Sequence, residues 1–516
     1  MARSLHPLLT FLGLWVKQLC GSGVVVVSHF ARFGSLSLLL ALLLTTSVLA
    51  EVPYGWSASF GSSEWDSASD IAVNRDGTVF VVGQFLGTVD FDPGPGRERL
   101  EAGPGDSDGV VSILSSKGKL LGVIHLRGEH FETYKAISFD PEGNIYLTGN
   151  VSSSPPFEPY ALDLNPFEGE DLQIVQGWSD FFMTKLNADG SYAWSRLIGG
   201  PNLEEARDIA ADSRGNVYVT GTFGGPADFD AGNGEDIFQA SCLSLQCQGD
   251  FFLTKYDTNG NYQWTKTFGF NGVDVGHSLA LDSEDNIVVG GTLDSRTAYI
   301  EGWGFIETFH NNDGFIARLD PQGNYLSFSV LGGWGNDSVK SIQTIGTDIV
   351  ATGFFSDIAD FDSGDSQLLV ESRGGFDAFV ARYTSQGVPV FVNQIGGSGD
   401  DFGTGVAIDP KGASYVTGEF STTVDFDPTE RLVRSRSAGS LDIFIAQYSA
   451  RGKYIRHSTI GGGNTEECTA IAVGSDLSPV VSGFFYDPVD FDPTSSKDIL
   501  KSHGFADGFV TKQNWE

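Results

Sequence analysis

The sequence predicts an all-β chain, a seven-bladed β-propeller of four-stranded antiparallel blades. Three observations predict it. One glycine recurs in register, at Gly83, Gly149, Gly221, Gly291, Gly353, Gly418 and Gly483, with successive spacings of 66, 72, 70, 62, 65 and 65 residues. Each interval reads as four short runs of alternating apolar and polar residues, separated by turn residues. The two ends are also complementary. The last interval stops at "DGFVTKQNWE" (507–516), one strand short, while "YGWSASFG" (54–61) aligns with the fourth-strand sequences "YAWSRLIG" (192–199) and "YQWTKTFG" (262–269). Small sheets that cannot cover their own faces are stabilised by radial repetition. A ring closed by pairing the first strand with the last accounts for both ends.

Residues 1–50 stand apart from the repeats. They contain Arg3, Lys17 and Arg32 and no acidic residue, and they end in the apolar run "LSLLLALLLTTSVLA" (36–50). That run is short for a membrane span and fits a signal-peptide core, with Val48 and Ala50 in the small-residue positions. The expectation is cleavage after Ala50, export, and a propeller over 51–516 with no membrane span. A long basic stretch before the apolar run leaves an uncleaved anchor open as an alternative. Export would permit a disulfide between Cys242 and Cys247. Cys468 reads as a small buried residue.

Within a unit the elements follow in a fixed order. In the sixth, "GVAID" is the first strand, and "PKG" turns the chain into the second, "ASYVTGEF". A polar excursion comes next, then the third strand "DIFIAQYS", a turn "ARG", and the fourth strand "KYIRHSTIGG". The stretch "DAFVARYTSQGVPVFVNQIGGSGDDFGTGVAIDPKGASYVTGEF" (377–420) resembles the bacterial SBBP-type β-propeller repeat, through its Asp-x-Phe strand, Gly-Gly turn, acidic pair, "AIDPKG" and "YVTG". The resemblance extends over about 54–516. It implies an extracytoplasmic propeller and little about chemistry.

Stacking the units gives three acidic columns. The first opens the third strand: Asp108, Asp180, Asp250, Asp313, Asp377, Asp442 and Asp507. An aspartate there is expected to accept backbone N–H groups in an Asx-type turn. The second precedes the first strand: Asp66, Glu132, Glu204, Asp274, Asp337, Asp401 and Glu466. It reads either as a carboxylate ring at a channel mouth or as a local cap of the Gly-Gly turn. The third lies in the excursion as "DFD": Asp90/Asp92, Asp228/Asp230, Asp360/Asp362, Asp425/Asp427 and Asp490/Asp492, around Phe91, Phe229, Phe361, Phe426 and Phe491. The second unit has Asp163 and Asn165 instead, and the fourth has no acid. In an extended run the two carboxylates share one face and the phenylalanine points to the other, as a peg. These ten aspartates are the candidate metal ligands, with calcium the matching cation, although calcium wants roughly 6–8 oxygens and each pair supplies only part of a shell. Hydrogen bonding to the loop backbone is the alternative.

Composition limits the partners. With 31 basic and 66 acidic residues, the formal net charge of −35 disfavours nucleic acid. Pairs repeated in five units look like scaffolding, whereas a glycosidase needs one unequal pair in one cleft. No nucleophile elbow, phosphate loop or dinucleotide fingerprint is present. The resulting expectation is an exported, non-catalytic, monomeric binding or structural module at the cell surface, in the periplasm or outside, with a protein or glycan ligand. The alternatives are a calcium-dependent or carbohydrate-binding adhesion protein using loop tryptophans such as Trp178, Trp303 and Trp334, and, further off, a propeller hydrolase or lyase. The non-equivalent loops 150–179, 231–249 and 294–312 are where a ligand site is expected.

Overall fold

The computed structural model describes residues 54–515 except 104, 154–157, 233, 242–248, 270–271, 295–296, 301–303, 309–311, 365 and 430. The leader expected over 1–50, the Cys242–Cys247 pair and Trp303 lie outside the described residues. Every regular element described is a β-strand, and none of the described residues forms a helix long and apolar enough to cross a membrane.

The strands pair in antiparallel sets of four. In the first unit Ser67–Val73, Val79–Leu86, Ser107–Leu114 and Leu120–Leu126 pair in that order. The same order recurs in the units opened by Phe131–Phe139, Glu204–Ala211, Val275–Leu281, Ser338–Ile345 and Asp401–Ile408. The last set joins Glu466–Val473, Pro479–Phe485 and Asp507–Gln513 to Tyr54–Phe60, which pairs along Asp507–Gln513. The strand missing from the end of the chain is thus supplied from its beginning, as the sequence alignment of 54–61 predicts.

Second and third strands are buried almost throughout: all seven residues of Val217–Phe223 and of Asp442–Tyr448 are buried. This is why both strands are apolar on both faces, each face being covered by a neighbouring set. The core consequently lies between sets. Phe229 is fully buried against Phe223 (ring centroids 5.5 Å apart) and Phe252 (5.2 Å) of its own unit and Phe181 (6.3 Å) of the preceding one. One such phenylalanine contributes about 1.5–3 kcal/mol through burial.

First strands pack in succession: Ser67–Val73 on Phe131–Phe139, and so through Glu204–Ala211, Val275–Leu281, Ser338–Ile345 and Asp401–Ile408 to Glu466–Val473, which packs back on Ser67–Val73. Side chains stitch several of these neighbours to the adjoining backbone. Asp70 Oδ2 accepts the amide of Ile137 (2.9 Å) and Asp208 Oδ2 that of Leu279 (2.7 Å). The hydroxyls of Ser278 and Ser341 accept from Ile342 and Val406, each at 3.2 Å.

Each first strand also carries a one-residue bulge against its second strand. The register skips Ser69, Lys135, Arg207, His277, Lys340, Thr404 and Thr469. The recurrent glycine explains why a bulge can form there. A Cβ on Gly149 would lie 2.0 Å from the carbonyl oxygen of Thr133, and one on Gly221 1.9 Å from that of Glu205. The equivalent Cβ positions on Gly83, Gly291, Gly353, Gly418 and Gly483 meet a first-strand carbonyl in the same way. The bulge pushes a first-strand carbonyl onto the partner strand, and only glycine leaves room for it.

The excursions are more regular than the sequence suggests. Instead of an open loop, each forms a short two-stranded ribbon, such as Thr88–Asp90 with Arg99–Glu101 and Pro226–Asp228 with Ile237–Gln239. Even the fourth unit, which lacks the acidic pair, makes one from Thr297–Ile300 and Gly304–Glu307.

Candidate functional site

The ten aspartates singled out by the sequence stand at the ends of these ribbons, dispersed over five units. The strand stops at the first aspartate, so the two carboxylates are not simply side by side on an extended face. Asp90 Oδ1 accepts the amides of Asp92 (3.3 Å) and Glu98 (2.9 Å). Asp228 does the same for Asp230 and Asp236 (3.0 and 2.9 Å), Asp360 for Asp362 and Leu368, Asp425 for Asp427 and Val433, and Asp490 for Asp492 and Asp498. The second aspartate turns the chain once more: Asp92, Asp230 and Asp362 accept the amides of Gly94, Gly232 and Gly364, and Asp427 and Asp492 those of Thr429 and Thr494. Asp163 in the second unit bonds Asn165 and Asp171 in the same pattern. Five phenylalanine pegs are buried as expected. The face opposite the pegs is not uniformly solvent-facing, since Asp425, Asp427 and Asp492 are themselves buried. Among the described residues no group of three or more His, Cys, Asp or Glu side chains is placed to share a metal ion.

The other two acidic columns meet at the junctions between units. Asp180, Asp250, Asp377, Asp442 and Asp507 accept amides of the loop before them, from Gln176, Ser241, Arg373, Ala438 and His503, the Asx-type role expected. The second column caps the Gly-Gly turn: Glu204, Asp337, Asp401 and Glu466 accept the amides of Gly200, Gly333, Gly397 and Gly462 at 2.8–2.9 Å. None of this column is among the residues lining the chambers between the first strands, and the hydrogen bonds described favour the local cap over the carboxylate ring. Burial raises these carboxyls, with the facing aspartate of the preceding unit adding to the effect. Glu132 (facing Asp108) and Asp401 (facing Asp377) are pushed up to about 8.

The strongest concentration of unlike chemistry is a channel lined by the first strands. All seven bulged residues face it: Ser69, Lys135, Arg207, His277, Lys340, Thr404 and Thr469. They line a chamber of about 530 Å³ and also an adjoining one of about 680 Å³, and so form a collar between the two. The second chamber has an aromatic wall of Trp65, Phe354, Phe402 and Phe484, with Phe354 and Phe402 5.2 Å apart and Trp65 and Phe484 also 5.2 Å apart. Four consecutive units thus contribute basic side chains, and the remaining three contribute hydroxyls. Lys340 Nζ donates to His277 Nε2 at 3.2 Å and lies 5.5 Å above the Phe354 ring. Arg207 is paired with Glu205 at 2.6 Å. Burial, followed by the charge of Arg207, pushes Lys340 down to about 8 and lowers Lys135 as well. Burial and the charges of Lys340 and Arg207 hold His277 well below its usual value, hence neutral. The acids near this collar are partly muted: burial raises Glu467, and it raises Glu419 to about 8 while the Glu419 carboxyl accepts the amide of Cys468.

Comparison with known proteins agrees with the repeat reading. The SBBP family model, "Beta-propeller repeat", matches residues 193–222 and 390–427. These two segments are SBBP β-propeller repeats. The first SBBP match spans a fourth strand, a Gly-Gly turn, a bulged first strand and its glycine-bearing partner, so the collar residue Arg207 lies within it. An uncharacterized WD repeat-containing protein of Acanthamoeba polyphaga mimivirus is 22% identical over 68% of this chain and 30% of its own length. The regulatory protein FlaEY of Caulobacter vibrioides is 22% identical over 79% of this chain and 42% of its own. The chain therefore spans less than half the length of either curated relative. Among solved structures, U3-55K is 10% identical with a TM-score of 0.43, covering 88% of this chain and 98% of that one. YCF48 bound to D1 peptide is 10% identical with a TM-score of 0.38, covering 91% and 97%.

The sequence columns did not find the collar, yet a positional signal exists. Each collar residue stands three places after the second-column acid: Lys135 after Glu132, Arg207 after Glu204, Lys340 after Asp337.

Proposed function

We propose that this chain is an exported, non-catalytic, seven-bladed β-propeller that works as a monomeric binding module at the cell surface, in the periplasm or outside. The succession of first strands returning to its start, and the Tyr54–Phe60 strand in the last sheet, support the closed seven-bladed reading. The composition of residues 1–50 supports export. One observation carries the binding reading: seven units with one framework present five kinds of side chain, Ser, Lys, Arg, His and Thr, to a single channel, one from each unit. Such a collar recognises a ligand without needing a reacting group.

The test has two arms. The purified chain is applied to an array of acidic and neutral glycans, and the glycans retained are then incubated with it and analysed for bond cleavage. Retention with intact glycans is expected, while turnover of any of them would overturn the non-catalytic reading. Expression with residues 1–50 in a bacterial host should give a shortened product outside the cytoplasm, and a full-length cytoplasmic product would overturn export.

A further inference from the structure

The collar is cationic inside a strongly acidic chain, and that contrast calls for a physical reason. Burying a lysine costs free energy unless a counter-charge or several acceptors compensate. Arg207 has Glu205. Lys340 is influenced by burial and by Arg207, both unfavourable to its charge, and Lys135 by the same two with only Glu205 opposing them. The neutral His277 leaves Lys340 an acceptor but no compensating charge. Opposite the cations, Ser69 brings a hydroxyl to the same space, and a hydroxyl donates to an oxyanion as readily as to water, whereas those of Thr404 and Thr469 already donate to the carbonyls of Thr417 (3.5 Å) and Ser482 (3.1 Å). The deeper wall carries Asp70 and Asp208, whose carboxylates are already tied to the amides of Ile137 and Leu279. On the aromatic side Glu467 and Glu419 line the same chamber, Glu419 accepting the amide of Cys468, and among the described residues no ion pair joins Lys135 or Lys340 to a carboxylate.

Resting on the binding-module reading, we propose that the collar binds the oxyanion of a small ligand, a carboxylate or sulfate, among Lys135, Arg207 and Lys340, with the Ser69 hydroxyl as a further donor. The aromatic wall of Trp65, Phe354, Phe402 and Phe484 on one side accommodates the uncharged body that carries the anion. A low-dielectric, partly enclosed site makes each such contact stronger than it is at an open surface.

The test is calorimetric titration of the whole chain with sodium sulfate, glucuronate and glucose at constant ionic strength, alongside thermal melts. Saturable binding of sulfate, glucuronate or both is expected, with glucose inert; which anion binds distinguishes an inorganic source from a sugar acid. Lys135→Gln with Lys340→Gln should weaken binding at least tenfold while far-UV circular dichroism and melting are kept. Lys340→Arg, which keeps the charge, should retain binding within about threefold. Absence of saturable binding by either anion would overturn the inference, as would wild-type affinity in a folded double variant. A chain that retains glycans on the array but ignores both anions keeps the binding-module reading and loses this one.

Discussion

The hydroxyl of Tyr54 donates to the carboxylate of Asp498, 444 positions away in the sequence. The same contact is local elsewhere: Tyr192 donates to Asp171 and Tyr262 to Asp236 at 2.6 Å. In each case a tyrosine opening a fourth strand is tied to the excursion ribbon of the unit that this strand completes. Tyr54 therefore treats the last unit as its own, down to the side-chain bond that fixes the ribbon.

Tyr54→Phe should lower stability by about 1 kcal/mol, the usual value of one such bond. Removing residues 51–62 should do far more, since it strips the outer edge from Asp507–Gln513. The expected results are a clear fall in melting temperature and rapid proteolysis of the last unit. Unchanged melting and protease resistance in the truncated chain would contradict a ring closed through its ends.

Gly149→Ala should destabilise the chain by about 3 kcal/mol, because the new methyl would meet the Thr133 carbonyl and the rim of Phe182. Gly122→Ala is the control. A Cβ there meets nothing within 4 Å, and its effect should stay within about 0.5 kcal/mol. Denaturant titration of the two variants separates steric need from simple glycine content.

Stability should be greater at pH 5.5 than at pH 8.5. Burial pushes Asp66 up to about 6, Asp180, Asp337 and Glu466 to about 7, and Glu132 and Asp401 to about 8. A carboxyl raised by folding contributes stability that is complete below its unfolded value and is lost as pH rises through the folded one, here pH 6–8. His277 and His457 act oppositely, being penalised as pH falls below their ordinary value, and Lys340, lowered to about 8, does so mainly above pH 8, but the six carboxyls outnumber them. At the acid end the sign reverses. Burial raises Asp140, but bonds from Asn144 and Tyr146 outweigh it and hold the carboxyl low, so that contribution is lost as pH falls toward its folded value. Melting temperature against pH should therefore peak in the mildly acidic range, and a peak above pH 8 would refute the junction carboxyl account.

Asp228→Ala leaves the amides of Asp230 and Asp236 without their acceptor and should cost about 1–2 kcal/mol. Asp228→Asn keeps an acceptor oxygen and should cost less. Because the ribbon carboxylates already serve the backbone, melting in millimolar calcium and in chelator should coincide. A calcium-dependent rise that Asp228→Asn abolishes would instead make these pairs cation sites.

What was legible in the sequence follows what the fold cannot vary. Gly149 and its six counterparts form a column because no other residue tolerates a carbonyl at about 2 Å, so the period is written in full. Asp180 and Glu204 form columns because the loop and Gly-Gly amides they accept recur at every junction. The ribbons were legible only as polar excursions, since a three-residue strand such as Thr88–Asp90 is too short to show alternation. The collar was illegible for a different reason. A bulged residue pairs with nothing across the ladder, so Ser69, Lys135 and Thr404 share a place without sharing a chemistry, and no column of like residues marks it.

That indifference of the sheet to its bulged residue separates inheritance from invention. A duplicated unit can keep its whole framework and still be given a new channel side chain by one codon change, without disturbing a strand or a core contact. Seven such positions face one space, so the collar behaves as a seven-letter word written on a constant page. Rewriting Lys135, His277 or Thr469 in turn would give a graded library of pores on a single scaffold.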